Sequence, residues 1–293
     1  MRKLIPLLLC VFMSVNLSAC AVADAPIASS SSVNADVTTP EPPYTYSPYV
    51  LDKFTRDNLG ANYALYCKLV DALLNYDSTI SGFESESQFI AIWSTLRRDF
   101  PPAKKLCADF GTSDTPYTYT DGTVQLQFLL EPVEHGRILD TFAQRIQSDL
   151  SILDEEDTEI EKIAKLYRHV RDSRDCEQKS AALYDCIISN QGTGDEMTQY
   201  LMLLLNQIDV ECYYARGYDD QNVKFWVIAK MGGKYYHFDP ALGRFFGNWY
   251  WFAIDDQLRR SSVASEWLTA YIAGAGVEGI EGESVVIGDV LTG

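Results

Sequence analysis

The chain has 293 residues, 47% of them hydrophobic, and a formal net charge of −17. A surface this acidic repels the phosphates of nucleic acids. We therefore expect neither DNA nor RNA as a partner. Seven irregularly spaced cysteines, none in a Cys-x-x-Cys pair, argue against a dense disulfide framework and a zinc site, although Cys176 and Cys186 could form one bridge. We predict no metal and no cofactor.

Residues 1–19 have the layout of a secretory signal peptide. Two basic residues precede an apolar stretch over 4–15, which is too short to span a bilayer. The following Leu-Ser-Ala sequence ends at Cys20 and resembles a bacterial lipobox, whose cysteine is lipidated and becomes the mature N-terminus. We therefore expect an extracytoplasmic protein that is anchored to the bacterial cell membrane through Cys20. The alternative is an ordinary signal peptide that leaves Cys20 as a free thiol.

Residues 20–48 are predicted to be a flexible tether, because Ala, Ser, Thr, Val and Pro dominate there without periodicity. Residues 49–152 are predicted to form a smaller α+β region. Its predicted elements are helices over 50–76, 84–98 and 134–152, and a hairpin over 117–128 that turns at Asp121-Gly122.

The second predicted domain covers residues 153–272, and its first helix is expected over 158–172. The acidic run Asp154–Asp157 is interpreted as the charged approach to that helix, with a cation site as the alternative. His169 lies on the same helix, has no partner in sequence and is expected to be structural.

Residues 273–293 are predicted to be a Gly-rich tail with a short strand at 285–287. Residues 274–279 match a dinucleotide-binding fingerprint by letter, but they open no helix, so we reject that interpretation.

A buried helix is predicted over residues 194–207. Thr193 and Glu196 have the spacing of a capping box, and residues 200–205 are apolar on every side of a helix. A reactive group in the first turn would lie at the positive end of the helix dipole, a setting that favours an anionic nucleophile.

Three strands are predicted next, over 211–216, 223–231 and 234–239, with Gly232-Gly233 as a hairpin loop. This register places Trp226 opposite Asp239, and it places Lys224 diagonal to Asp239 and within reach of it. One face of the hairpin carries Lys224, Trp226, Ile228, Lys230, Tyr235 and His237. The other is more apolar and is expected to pack on the core: Val223, Phe225, Val227, Ala229, Tyr236 and Phe238.

Taken in this order, the segments resemble bacterial transglutaminase-like proteins of the papain-like superfamily. That family carries Gly-x-Cys at the start of the central helix, His-x-Trp on the next strand and Asp-Pro after the hairpin. Here these positions read Gly192-Thr193-Gly194, Lys224-Phe225-Trp226 and Asp239-Pro240. The resemblance covers about residues 50–255 and implies an α+β fold in which a central buried helix packs on an antiparallel sheet.

The same resemblance implies a catalytic unit that has lost its reactive groups. The nucleophile position is Gly194, which has no side chain, and the position of the histidine base is Lys224. Because such residues act as a unit, losing either one removes acyl transfer by this mechanism. Asp239 then has no imidazole to orient. We therefore expect a protein that is not an enzyme.

The favoured hypothesis is a cell-surface lipoprotein with a degenerate core that binds a peptide or cell-wall ligand or has a structural role. Its candidate cleft residues are Trp226, Tyr235, His237 and Asp239. The aromatic run 245–252 could contribute to binding, but its alternation favours a strand that packs its rings into the core.

Two alternatives remain open at this stage. One is a cysteine-dependent amide hydrolase or transferase with a relocated nucleophile such as Cys186, in which His237 would serve as the base. The other is a purely structural module in which an ion pair between Lys224 and Asp239 fills the former cleft.

Overall fold

A computed structural model describes residues 42–108, 116–173, 175–176, 182–219 and 222–262. The predicted signal peptide, Cys20 and the Gly-rich tail lie outside the described residues, as does the predicted strand at 285–287. Helices, two three-stranded antiparallel sheets and one short parallel pair of strands make up the described part. The helices are α1 Lys53–Leu59, α2 Tyr63–Leu74, α3 Glu86–Asp99, α4 Ala103–Leu106, α5 Pro132–Leu150, α6 Glu159–Ser173, α7 Leu183–Ser189, α8 Gly194–Gln207, α9 Pro240–Phe246 and α10 Asp256–Ser262. The strands are β1 Thr79–Ser81, β2 Tyr117–Thr120, β3 Thr123–Leu126, β4 Asp175–Cys176, β5 Gln191–Gly192, β6 Cys212–Asp219, β7 Asn222–Met231 and β8 Lys234–Phe238.

The first hydrophobic cluster joins α2, α3 and α4 to a three-stranded sheet of order β1-β3-β2. The predicted hairpin is confirmed: Asp121 (φ 47°) and Gly122 (φ 78°) both have the positive φ that a tight two-residue turn requires. The single helix expected over 50–76 is wrong in one respect. It is interrupted at Gly60, whose φ of 50° ends α1.

The second cluster surrounds α8, which packs on the antiparallel sheet β6-β7-β8. The capping box of Thr193 and Glu196 is present, as the sequence predicted. The predicted register is confirmed as well, with Met231 opposite Lys234 and Ile228 opposite His237. The pairing ends at Phe238, however, because Asp239 leaves the strand and caps α9. The mixed α and antiparallel β content agrees with the expected fold class, and Ile138 of α5 contacts both clusters.

The segment just before α1 is tied to two helices of the second cluster. The side-chain amide of Gln147 accepts from the backbone N–H of Tyr46 (3.0 Å) and donates to the backbone carbonyl of Tyr44 (2.9 Å). Gln207 makes the same pair of bonds with the backbone N–H and carbonyl of Ser47, at 2.8 and 3.1 Å. The last residues of the predicted tether are therefore bound to α5 and α8.

The strand expected over 245–252 is wrong. α9 continues to Phe246, and turns follow it. Phe245 is 80% exposed, and Phe246 and Tyr250 are also exposed, whereas Trp251 and Phe252 are buried. The alternating apolar residues therefore belong to the end of α9 and to the turns after it. Some of their aromatic rings are buried and the others are exposed.

The acidic run before α6 is occupied by a side chain of the protein itself. The ammonium group of Lys165 lies 2.8 Å from carboxylate oxygens of both Asp154 and Asp157. Within the described ranges, no group of three or more His, Cys, Asp or Glu side chains is arranged to hold a metal ion. Nor does any helix there have the length and apolar character needed to cross a membrane.

A buried polar network links α5, α6 and α8. Asp149 accepts a hydrogen bond from Arg145 Nε (2.8 Å) and one from the Tyr200 hydroxyl, and His169 Nε2 lies 2.8 Å from its other oxygen. Burial by itself would raise the pKa of Asp149, but the bonds from His169 and Tyr200 hold that pKa below its usual value. His169 therefore has a partner that sequence spacing did not indicate.

Replacing Asp149 by Ala should destabilise the fold by about 3 kcal/mol, because Arg145 and Tyr200 would lose the acceptor that they share. Chemical denaturation monitored by circular dichroism measures the change. Asp140→Ala is the matched control, since Asp140 is exposed on the same helix. Equal unfolding midpoints for the two variants would contradict a structural role for the network.

Candidate functional site

Gly194 lies where the resemblance puts a nucleophilic cysteine, at the first residue of α8. A Cβ atom added to it would lie 3.2 Å from the Cβ of Ala241 in α9, which is tighter than ordinary van der Waals contact. Helix α9 therefore occupies the space beside the nucleophile position. A side chain at residue 194 would fit only if α9 moved by a few tenths of an ångström.

Asp239 has both carboxylate oxygens engaged. Its Oδ1 accepts from the backbone N–H of Leu242 (2.8 Å) and caps α9, and its Oδ2 accepts from Arg259 Nη1 (2.9 Å). Asp239 and Arg259 are both buried. An Asp residue can thus cap a helix and neutralise a buried cation with one side chain.

The ion pair predicted between Lys224 and Asp239 is wrong, because Arg259 of α10 is the partner of Asp239. Lys224 is half-buried in β7, opposite Gly217 of β6. In the part of the chain that the structure describes, no carboxylate pairs with Lys224. The cation buried beside Asp239 therefore comes from α10, a helix that the sequence did not predict.

Arg259 is held by aromatic rings as well as by charge. Its guanidinium carbon lies 3.9 Å from the centroid of the Trp226 ring and 5.6 Å from that of Trp251, so cation–π attraction adds to the ion pair. Burial lowers the pKa of Arg259 from its ordinary value, and the charge of Asp239 opposes that effect.

His237 completes this network on β8. Its Nδ1 accepts from Trp226 Nε1 (2.9 Å), so the ring proton is on Nε2, which donates to Asp256 Oδ1 (2.8 Å). Burial lowers the pKa of His237, the hydrogen bond to Asp256 raises it in part, and the charge of Arg259 lowers it further. The imidazole is therefore neutral and has both nitrogens bonded.

The structure brings three of the four predicted cleft residues together, but not on an open surface. Trp226, His237 and Asp239 are all buried beside α10. Tyr235 lies apart, half-buried near the start of β8, where its hydroxyl donates to Glu211 (2.8 Å). The group is a closed polar network, so a substrate could not approach the carboxylate without displacement of Arg259.

The alternative nucleophile Cys186 is also buried. A Cβ atom at Gly192 would lie 2.5 Å from its Sγ, so only glycine allows α7 to pack this closely on the start of α8. The side chain of Cys176 lies outside the described residues, so its bridge to Cys186 stays a prediction. A relocated mechanism would need both Cys186 and His237 to become exposed.

Arg259 and Asp256 are the residues that sequence reasoning missed. The available signal was Asp255, whose Oδ1 accepts from the backbone N–H of Leu258 (2.7 Å) and so marks the start of α10. Nothing in the local sequence marks Arg259 as the partner of Asp239.

No protein-family model matches this chain, and no curated protein matches it. Solved structures that are similar over part of it include two proteins described as proteases. One is described as a "Putative Cysteine Protease from Cytophaga hutchinsonii", with 14% identity, a TM-score of 0.31 and coverage of 41% of this chain and 51% of that one. The other is described as a "putative protease from Parabacteroides distasonis ATCC 8503", with 13% identity, a TM-score of 0.27 and coverage of 43% and 30%. The similarity thus spans about half of the first structure and less than a third of the second.

Replacing His237 by Gln should flatten the pH dependence of stability as the pH falls from neutral through the ordinary histidine pKa. The unfolded chain binds a proton at the ordinary histidine pKa of about 6.5. The folded chain does so only at lower pH, so stability is full above that value and is lost as pH falls towards the folded pKa. Gln keeps an acceptor for Trp226 and a donor for Asp256. Thermal melts at several pH values test this, and equal slopes for the variant and the wild type would contradict it.

Replacing Arg259 by Met should destabilise the fold by about 3–5 kcal/mol, because the charge of Asp239 would remain buried without a partner. Adding Asp239→Asn should recover much of the loss, since Asn still caps α9 but carries no charge. Urea unfolding of the single and double variants measures both effects. The interpretation fails if the double variant is less stable than Arg259→Met.

Proposed function

We propose that this protein is a non-catalytic module with a papain-like core, in which a closed ion pair has taken the place of the catalytic group. The observation that carries the proposal is the state of Asp239, whose two oxygens bind Leu242 and Arg259. Two further observations support it: Gly194 offers no nucleophile, and the imidazole of His237 is neutral and buried. A core in this state serves binding or structure.

We also propose that the module is held at the outer face of a bacterial membrane by lipid on Cys20. The sequence at residues 1–20 supports this proposal. A peptide or a cell-wall fragment is the ligand class that fits this location. The exposed rings of Phe245, Phe246 and Tyr250 offer stacking surfaces for such a ligand.

The wild-type protein should show neither amide hydrolysis nor amine incorporation on glutamine-containing peptides. The comparison protein is Gly194→Cys with Lys224→His, which restores the family residues at both positions. We expect this variant to have little activity as well, because Arg259 still binds Asp239. Activity should increase when Ala241→Gly and Arg259→Met are added. Turnover by the wild type would overturn the proposal.

Thiol labelling separates the proposal from a relocated nucleophile. Iodoacetamide at neutral pH should modify Cys186 slowly, because its side chain is buried, and should modify a cysteine introduced by Gly194→Cys quickly, because the helix start favours a thiolate. Peptide mapping by mass spectrometry assigns each site. Rapid labelling of Cys186 in the folded wild type would instead favour a cysteine-dependent hydrolase or transferase.

A further inference from the structure

A cavity of about 300 Å³ opens between α1, the end of α3, α8 and β6. Its size is at the lower end of the range for small-molecule sites. Neither Asp239 nor Arg259 lines it, so it is distinct from the closed polar network. Apolar side chains form much of its wall: Val50, Leu51, Phe54, Leu183, Met202 and Leu203.

The charged residues in the wall are Asp52, Arg98 and Asp99. Arg98 donates to Asp99 through Nε (2.8 Å) and Nη2 (2.7 Å), so these two charges cancel. Asp52 uses Oδ1 to accept from the backbone N–H of Thr55 (2.9 Å), and within the described ranges its Oδ2 accepts no hydrogen bond. Arg98 acts on Asp52 through its charge and not through a hydrogen bond, so the three charged residues leave the wall with a net charge of −1 and with one carboxylate oxygen of Asp52 open.

Neighbouring groups strengthen this negative character. Burial is the main cause that raises the pKa of Asp99, and Arg98 lowers it in part; the charge of Asp52 also raises it, which reports repulsion between the two carboxylates. The carboxylate of Asp195 is also close, because it accepts hydrogen bonds from Gln199 and Tyr214, two further residues of the wall, at 2.6 Å each. An anionic ligand would meet repulsion here, whereas a cation would relieve the repulsion between carboxylates.

We infer that this cavity binds a small organic cation, namely a primary amine on an apolar body. The body packs against Phe54, Met202 and Leu203, and the ammonium group donates to the open oxygen of Asp52. This inference goes beyond the proposed function, because an amine site beside α8 would stand even if the core proved catalytic.

Three compounds that share one ring system test the inference: tryptamine, indole-3-ethanol and indole-3-acetate. They have nearly the same apolar body and differ in charge, so titration calorimetry on the full chain isolates the contribution of the cation. Tryptamine should bind about tenfold more tightly than indole-3-acetate, with indole-3-ethanol between them. The preference should shrink in about 1 M salt, because a half-buried carboxylate is partly screened.

Two variants and a control locate the site. Asp52→Asn keeps the cap of α1, since Asn caps helices as well as Asp does, and it should abolish the preference for tryptamine without changing the binding of indole-3-ethanol. Phe54→Ala should weaken both compounds equally, and with Phe54 40% exposed the fold should tolerate the change. Asp140→Asn removes the same charge from an exposed position on α5 and should change neither.

The inference is overturned if the three compounds bind equally, if indole-3-acetate binds best, or if none binds. It is also overturned if Asp140→Asn reproduces the effect of Asp52→Asn, since binding would then follow net charge and not this cavity. None of these results bears on the proposed lack of catalysis, which the amide hydrolysis assay tests separately.

Discussion

The burial of the Asp239 carboxylate is the constraint on which this part of the fold depends. A charge removed from water needs an opposite charge and hydrogen bonds, and both are present in Arg259 and in the backbone of α9. Because Arg259 is a residue of α10, its contact with Asp239 fixes the position of that helix. The same helix supplies Asp256, which accepts a hydrogen bond from the ring of His237. One buried carboxylate thus accounts for the position of α9, for that of α10 and for the state of the imidazole.

The proposed degenerate core differs from a catalytic triad in what its aspartate orients. In a triad, the aspartate orients an imidazole and the imidazole meets a nucleophile. Here the aspartate orients a guanidinium, the guanidinium lies on Trp226, and Trp226 donates to the only imidazole of the group. Each polar group is bonded to the next. The contacts end at the backbone of α9 on one side and at Asp256 of α10 on the other.

The sequence predicted those elements whose signals are local. Asp121-Gly122 and Gly232-Gly233 set their turns by backbone conformation, and Thr193 with Glu196 set the start of α8 by capping. Prediction from the sequence failed where one local signal has two possible causes. Asp239-Pro240 resembles a family motif at the end of a strand, but a capping Asp followed by Pro at the first helical position is itself a helix start. The partner of Asp239 could not be predicted, because Arg259 lies twenty residues further on and no periodicity connects the two.

The two glutamines that hold residues 44–47 have a mechanical consequence. Gln147 and Gln207 each give one donor and one acceptor to the same stretch of backbone, as a neighbouring strand would. A force applied to the N-terminal end of the chain therefore reaches α5 and α8 before it reaches α1. These bonds would be broken by shear, which loads them together, and the first cluster would be shielded from tension that arrives from the residues before Tyr44.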